Sequence, residues 1–377
     1  MNNRYFRLNP ECFLTVGVQR SVVQNLYTGE ATWMDADSTK ALIRSESNQP
    51  VDETLAVFQE LERKKWGLFS DQPPFIDKLR TFNVFREKRL WKETPYIGMA
   101  VLQLTNECRR GCASCSTAFC PICTVFPENG REPLTMEAWR ELIAELRGFG
   151  TRFMIFTGGE ALLFDGLADL VLHAVSLGVG VQVHTSGLLR LPAEFPDVGF
   201  SILLTDAADL PAVATNFAGR RFVTILNMGV APAALAGYLA EGWTVRNVSP
   251  DQPALTKEHL VETDFDRFFA RKQTESCLNG KIYIAHDGAA FPCFGHKGAR
   301  VADVRKDGLG AAVKVLMEKY WNVPIDKIDP NRKCSRCEFR YCCSSCRYMD
   351  PDRGCAYDPD RGAWQSRGGP ITVVAQQ

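Results

Sequence analysis

Between residues 97 and 250 the chain repeats one pattern, a short apolar run followed by a longer segment with apolar residues at helical spacing. A first run at 97–104 is followed by RFMIFTGG, VGVQVHTS, GFSILLTD, RFVTILNM and WTVRNVS, and the segments between them include TMEAWRELIAELRGFG and FDGLADLVLHAVSLG. This alternation predicts βα units and a parallel sheet with helices over its outer face. Six such runs suit an α/β fold of the barrel or partial-barrel kind, in which functional groups gather at the carboxyl ends of the strands.

Length and charge exclude several classes of protein. The 377 residues, 45% of them hydrophobic, are enough for two or three domains that each bury a core. The 44 basic residues cancel the 44 acidic ones, so the charge balance favours neither nucleic acid nor a membrane surface as a partner. Neither a secretory signal nor a stretch of about 20 apolar residues is found, which predicts a soluble cytoplasmic protein.

Fourteen cysteines are unusual for such a chain. The cytosol keeps thiols reduced, and a chain of this length does not need disulfides, so metal or cluster ligation is the better interpretation. Their distribution defines two groups, separated by a cysteine-free stretch at 124–276. Cys12 stands alone, one group lies at 108, 112, 115, 120 and 123, and the other at 277, 293, 334, 337, 342, 343, 346 and 355.

The first group follows the first predicted strand. Cys108, Cys112 and Cys115 therefore lie in the loop over the carboxyl edge of the sheet, and TGGE (157–160), HTSG (184–187) and TD (205–206) end the next three strands at the same edge. Three thiols at this spacing leave a tetrahedral or cubane site one ligand short. Adjacent glycines let a backbone approach a ligand, and the carboxylate of Glu160 suits an amine.

The spacing C-x3-C-x2-C followed by G-G-E resembles that of the radical S-adenosylmethionine (SAM) enzymes. The resemblance implies that the three cysteines hold a 4Fe-4S cluster, whose fourth iron takes the amino and carboxylate groups of SAM. Reductive cleavage then yields a 5'-deoxyadenosyl radical. By position, Glu160 binds the SAM amino group, Gly158 and Gly159 line its methionine part, and Ser186 lies near the ribose. The chain departs from the pattern in having Ser114 before the third cysteine and Ala161 after G-G-E.

Each motif also has a simpler interpretation. Three cysteines alone fit a structural zinc site, and G-G-E alone fits an ordinary turn. Asp206 is either a weak candidate for a catalytic base or a helix cap. His184 is most simply a hydrogen-bonded polar residue at a strand end. Cys120 and Cys123 form either a redox pair, an extra metal site or a pair of loop thiols.

The second group surrounds a predicted hairpin and a cysteine-dense knuckle. Cys277 and Cys293 flank a segment with Asp287-Gly288 as its turn signal. The knuckle reads C-x2-C-x5-C-x2-C, includes Glu338 and Arg340, and is followed by one last cysteine. This arrangement resembles the SPASM extension of radical SAM enzymes that act on peptides, and implies two auxiliary 4Fe-4S clusters. By position, Cys334, Cys337, Cys343 and Cys355 ligate one, and Cys277, Cys293 and Cys346 the other.

These seven cysteines are one short of the eight protein ligands that two closed cubanes need. The eighth is either Cys342, through a shift of register, or His286, or absent, which leaves an open iron for a substrate thiolate. A zinc ribbon is the alternative to a cluster for this region.

The first 92 residues alternate short strands and turns and then contain a helix within 51–69, with Asp52 near its cap and Gly67 as its stop. They resemble winged-helix-like modules that bind the leader of a precursor peptide, and an exposed edge strand suits that role. The alternative is a domain that only packs against the barrel.

We therefore expect three domains: a leader-recognition domain (1–92), a partial (β/α)6 TIM-like radical SAM barrel (93–256) and a cysteine-rich SPASM domain (257–377). The expected enzyme is a maturase of ribosomally made peptides that forms a thioether or carbon–carbon crosslink. Its expected cofactors are SAM and three 4Fe-4S clusters, and its partners a precursor peptide with a leader and an electron donor such as flavodoxin or ferredoxin. The alternatives are a formylglycine-forming enzyme of the anaerobic sulfatase-maturing type and a non-catalytic iron–sulfur or zinc protein.

Overall fold

A computed structural model describes residues 4–79, 95–108, 131–240, 243–247, 263–274, 278–294, 298–327, 333–343 and 357–364. The chain divides into two compact units. One comprises residues 1–90, 253–277 and 322–377, and the other residues 91–252 and 278–321. The boundaries of the three expected domains stay a prediction.

The amino-terminal part of the first unit contains five strands and two helices. The strands are β1 (Tyr5–Leu8), β2 (Cys12–Val16), β3 (Ser21–Asn25), β4 (Ala31–Met34) and β5 (Gly67–Ser70), and the helices are α1 (Ala36–Glu46) and α2 (Ala56–Arg63). Strands β2, β3 and β4 form an antiparallel sheet, and β1 pairs antiparallel with β5. The winged-helix-like assignment stays a prediction.

The helix expected within 51–69 is shorter than its sequence signals suggested. The side chain of Asp52 accepts hydrogen bonds from the Thr54 backbone N–H at 2.9 Å and from its hydroxyl at 2.7 Å, which forms a turn ahead of α2. Gly67 opens β5 instead of ending the helix. A Cβ at Gly67 would lie 2.3 Å from the ring of Phe6, so the glycine lets β5 pack against β1.

The second unit contains the expected parallel sheet. Its six strands are β6 (Met99–Thr105), β7 (Phe153–Gly158), β8 (Gly180–Thr185), β9 (Gly199–Leu204), β10 (Val223–Asn227) and β11 (Thr244–Asn247), and each pairs in parallel with the next. Helices α3 (Met136–Gly148), α4 (Leu167–Ser176), α5 (Leu210–Asn216) and α6 (Pro232–Ala240) follow β6, β7, β9 and β10. Contrary to the predicted alternation, residues 186–198 between β8 and β9 contain no helix. The predicted α/β fold with a large parallel sheet is confirmed.

Three strands from later in the chain extend the sheet on the other side of β6. Strand β12 (Lys281–Ile284) pairs in parallel with β6, and β13 (Ala289–Phe291) and β14 (Ala302–Asp303) follow antiparallel, ahead of helix α8 (Val304–Leu316), whose axis is interrupted at Gly308. The predicted hairpin with Asp287-Gly288 at its turn is confirmed. Gly288 has a φ of 82°, and the Asp287 carboxylate accepts a hydrogen bond from the Ala289 backbone at 3.0 Å.

The remaining part of the first unit packs on β2. Helix α7 (Phe265–Gln273) is followed by the knuckle residues 333–343 and the short pair β15 (Tyr357–Asp358) and β16 (Ala363–Trp364). The ring of Phe268 lies 5.1 Å from those of Phe13 and Tyr341, centroid to centroid. In this part and in the other described ranges, no helix is long and apolar enough to cross a membrane.

Candidate functional site

The motifs gather at the carboxyl edge of the parallel sheet, as predicted. Strand β6 ends three residues before Cys108, β7 ends at Gly158, β8 at Thr185 and β9 at Leu204. Because neighbouring parallel strands end at one edge, the segments that follow them lie side by side.

The backbone just before Cys108 is held by the G-G-E segment. The N–H of Gly159 donates to the Thr105 carbonyl at 2.9 Å, and the N–H of Glu160 donates to the Glu107 carbonyl at 2.7 Å. The N–H of Glu107 donates in turn to the Thr105 hydroxyl at 3.0 Å. Together these bonds fix the point from which the cysteine loop leaves the sheet.

Both glycines of the motif are required by this packing. A Cβ at Gly158 would lie 2.6 Å from the Thr105 carbonyl oxygen, and one at Gly159 would lie 2.3 Å from the Glu107 carbonyl oxygen. Real Cβ atoms essentially never approach so closely. The sequence predicted that these glycines contact a ligand. The structure shows that they also let the G-G-E segment pack against the backbone of residues 105–107, just before Cys108.

Glu160 links the ends of β7 and β8. Its side chain is 4% exposed. One carboxylate oxygen accepts from the Thr185 hydroxyl at 2.7 Å and the Leu162 N–H at 3.1 Å, and the other accepts from the Ser186 N–H at 2.8 Å and the Ser186 hydroxyl at 2.5 Å. Sequence reasoning identified Glu160 and Ser186 separately, but it missed Thr185 and the contact between them. With four hydrogen-bond donors, two to each oxygen, the buried carboxylate of Glu160 is fully hydrogen-bonded.

Asp206 and His184 lie on the same edge with different surroundings. Asp206 is exposed, and its carboxylate accepts from the Ala208 N–H at 2.9 Å, which caps the one-turn helix 207–209. That favours the helix cap over the catalytic base, whose assignment stays a prediction. His184 keeps partial exposure as a residue although its imidazole lies deep among other protein atoms, and its ring makes no hydrogen bond with any residue in the described ranges. Burial lowers the pKa of His184 to about 4, so the imidazole is neutral at physiological pH.

Three of the predicted auxiliary-cluster ligands, Cys334, Cys337 and Cys343, belong to the knuckle. Burial raises the pKa of the Cys337 thiol well above its usual value, and Glu338 and the thiols of Cys343 and Cys334 add to the effect because they lie close by. The Cys337 sulfur accepts a hydrogen bond from the Phe339 N–H at 3.4 Å. Cysteine thiols of the knuckle are donors that a cationic iron or zinc centre would stabilise as thiolates.

Cys342 has different surroundings. Its side chain is 3% exposed, its thiol points to the Phe339 carbonyl at 3.5 Å, and it packs in an apolar cluster with Val22 and Tyr357. Its neighbour Cys343 contributes electrostatically to the raised pKa of Cys337. This geometry favours the register in which Cys343 is the ligand.

Glu338 and Arg340 connect the knuckle to neighbouring segments by hydrogen bonds. The Tyr357 hydroxyl donates to the Glu338 carboxylate, and burial raises the pKa of that carboxyl group. Arg340 donates to the carbonyls of Val16 at 2.8 Å and Cys337 at 2.9 Å. The arginine therefore joins the cysteine turn to strand β2.

Two further predicted ligands, Cys293 and His286, lie within the described residues. Cys293 follows β13 and is partly exposed, and the His286 carbonyl accepts from the Leu134 N–H at 2.7 Å. Within the described ranges, no group of three or more Cys, His, Asp or Glu side chains is arranged so that it could hold a metal ion. Outside those ranges lie Cys112, Cys115, Cys120, Cys123, Cys277, Cys346 and Cys355.

Comparisons with known proteins agree with the motifs. The chain is 38% identical over 88 residues to PqqA peptide cyclase from Streptomyces rochei, covering 23% of this chain and 22% of the relative. It is 36% identical over 90 residues to the sporulation killing factor maturation protein SkfB from Bacillus subtilis strain 168, covering 23% and 20%. These matches confirm the resemblance to radical SAM peptide-modifying enzymes. They span only about a fifth of each relative.

The chain was also compared with solved structures and with protein-family models. The solved structure of Streptococcus suis SuiB bound to S-adenosylmethionine aligns with 96% of this chain and 99% of its own, at 11% identity and a TM-score of 0.42. No protein-family model matches the chain.

Proposed function

We propose that this chain is a radical SAM peptide maturase. It cleaves SAM reductively, removes hydrogen from a ribosomally made precursor peptide and closes a thioether or carbon–carbon crosslink. The names of the similar proteins, a peptide cyclase and a maturation protein for a killing factor, point to a peptide as the substrate.

The observation that carries this proposal is the seat of the Cys108 loop. Two backbone hydrogen bonds and two glycines without room for a Cβ bring the G-G-E segment against residues 105–107. A cluster on Cys108, Cys112 and Cys115 would thus be held beside Gly158, Gly159, Glu160 and Ser186, the residues proposed to bind SAM. A bound cluster supplies the electron that breaks the sulfonium.

Glu160 fits the amine of SAM in one specific way. Its four hydrogen bonds include two from the Ser186 residue, one of them from a hydroxyl that can rotate. Rotation of that hydroxyl frees an acceptor position for an ammonium group without leaving the buried carboxylate unpaired. The hydroxyl is then free to hydrogen-bond to the bound ligand.

Cys334, Cys337, Cys343 and Cys355 are the proposed ligands of one auxiliary 4Fe-4S cluster. Cys277, Cys293 and Cys346 are the proposed ligands of the second. Residues 1–92 are proposed to bind the leader of the precursor peptide, and a flavodoxin or ferredoxin is the proposed electron donor. The partial (β/α)6 barrel and the SPASM domain are the proposed fold assignments.

The test is anaerobic reconstitution with iron, sulfide, SAM and dithionite. We expect release of 5'-deoxyadenosine by the wild-type chain and none by a Cys108→Ala variant. Co-expression with a short peptide encoded next to this chain should lower the peptide mass by two hydrogens per crosslink. Binding of zinc in place of iron and sulfide, or SAM cleavage that survives Cys108→Ala, would refute the proposal.

A further inference from the structure

One face of the parallel sheet carries a row of polar side chains near its carboxyl edge. Gln103 on β6 pairs with Thr157 on β7, and His184 on β8 pairs with Ser201 on β9. Phe156 pairs with Val183, so Thr157 and His184, one residue further on each strand, are also level. Paired residues in a sheet point to the same face, so these four side chains form one row across four strands.

The opposite face of the same strands is apolar and closed. Its side chains are at most 6% exposed: Ala100, Leu102, Met154, Phe156, Val181, Val183, Phe200 and Ile202. On the other face, Val101, Ile155, Gln182 and His184 are partly exposed, whereas Gln103, Thr157 and Ser201 are at most 4% exposed. Parallel strands that are buried on both faces read as continuous apolar runs. Polar side chains therefore interrupt this face near the edge at which Cys108 follows β6, and His184 is the member of the row that keeps partial exposure.

Within this row, His184 has unused hydrogen-bonding capacity. Ser201 already accepts the Gln182 side-chain amide at 2.6 Å, and the Gln103 amide already donates to Asn106. The ring of His184 has no hydrogen-bond partner in the described ranges. No charged group contributes to the lowering of its pKa, which comes from burial alone. The neutral imidazole keeps a nitrogen lone pair that can accept a proton.

The chemistry of crosslinking requires such an acceptor. For each bond formed, the peptide loses two hydrogens. One leaves carbon as a hydrogen atom, which the deoxyadenosyl radical takes to become 5'-deoxyadenosine. When the radical carbon joins a thiol sulfur, the second leaves as the thiol proton, and one electron leaves with it to an iron–sulfur centre. A carbon–carbon bond releases a proton and an electron in the same way.

We propose that an imidazole nitrogen of His184 accepts the proton that the peptide releases as the crosslink closes. This proposal rests on the maturase function proposed above, and it names the residue that takes the proton in the crosslinking step. The competing carboxylates in the described site are engaged, since Glu160 accepts four hydrogen bonds and Asp206 caps a helical turn at the surface. His184 is a neutral imidazole at this edge whose ring has no hydrogen-bond partner among the described residues.

The first test compares His184→Gln with wild type in the reconstituted full chain, using the peptide encoded next to it. Glutamine keeps a polar side chain of similar reach but takes no proton. We expect 5'-deoxyadenosine to form at near wild-type rate, while crosslinked peptide per 5'-deoxyadenosine falls at least about 10-fold, because general base catalysis contributes about 10²- to 10⁴-fold. Added imidazole should restore part of the product in a His184→Ala variant.

The matched control is His173→Gln on α4, whose ring contacts the Arg140 carbonyl at 3.2 Å away from the sheet edge. It should leave both products unchanged. If 5'-deoxyadenosine and crosslink fall in parallel in His184→Gln, then His184 serves SAM binding and the proposal is wrong. If the crosslink yield is unchanged, it is also wrong. Failure of wild type to form 5'-deoxyadenosine would instead sink the proposed function itself.

A second readout does not depend on turnover. Diethyl pyrocarbonate acylates neutral, accessible imidazoles, so at pH 6 His184 in the reconstituted chain should be modified, as detected by mass spectrometry of its peptide. Addition of the precursor peptide should protect His184 from acylation, and addition of SAM alone should protect it less. An unmodified His184, or protection by SAM but not by peptide, contradicts the assignment.

Discussion

The clearest quantitative expectation concerns Gly159→Ala. The added Cβ would lie 2.3 Å from the Glu107 carbonyl oxygen and 2.7 Å from that of Asn106. Ordinary contacts begin at 3.4 Å, so the backbone ahead of Cys108 must retreat by about 1 Å. Neither contact is with a flexible side chain, and the strain therefore passes directly to the cysteine loop.

The cost follows from the same distances. The hydrogen bond from the Glu160 N–H to the Glu107 carbonyl is 2.7 Å, and a retreat of about 1 Å breaks it at a net cost of about 1 kcal/mol. Overpacking adds about 1–3 kcal/mol. We expect Gly159→Ala to lower the free energy of unfolding by about 2–4 kcal/mol and to reduce iron bound at the first cluster.

The measurements are urea unfolding followed by circular dichroism, and iron content after anaerobic reconstitution. The matched control is Gly148→Ala at the end of α3, where nothing lies within 4 Å of the new Cβ. That variant should be neutral or up to about 1 kcal/mol more stable, because alanine is the better helix former. If Gly159→Ala stays within about 0.5 kcal/mol of wild type and binds full iron, the packing role assigned to the glycine is wrong.

Three further outcomes are expected. Thr185→Val removes a 2.7 Å donor from buried Glu160 and should cost about 1–3 kcal/mol in urea unfolding, whereas an unchanged midpoint would contradict the contact. Cys343→Ala should lose iron from the knuckle while Cys342→Ala keeps it, as counted by iron per chain; the reverse result would favour the other register. The folded state holds His184 with a lowered pKa, so the unfolded state binds more protons and wild-type stability falls as pH drops from about 6.5 toward 4. His184→Gln should make that decline shallower by about 2–3 kcal/mol, and equal slopes in the two proteins would refute the burial of a neutral ring.

The order of the sheet was predictable because local and global patterns agree. Each apolar run is short, four of the five intervening segments form helices, and parallel pairing of successive strands is the simplest way to bury both. The hairpin at Asp287-Gly288 was predictable for a similar reason, since its turn residues act locally. Helix ends were less predictable: Asp52 and Gly67 are ordinary boundary signals, but one forms a turn before α2 and the other starts a strand against Phe6.

The chemistry of the site was only partly readable. The residue types of Cys108, Glu160 and the knuckle cysteines indicate their chemistry because few other roles need them at that spacing. Which of two adjacent cysteines turns toward Cys337 depends on the packing of the other among apolar side chains, and this packing lies outside the linear pattern.

By itself, the sequence determined the parallel α/β sheet, the edge at which its motifs meet and the kind of centre that its thiols can hold, because these depend on periodicity and residue chemistry. Only the tertiary structure decided that the motif glycines pack against the backbone ahead of Cys108, that Thr185 donates to Glu160, and that His184 lies in a row of polar side chains across four strands. Those properties depend on contacts between residues far apart in the chain, and spacing along the chain does not encode such distances.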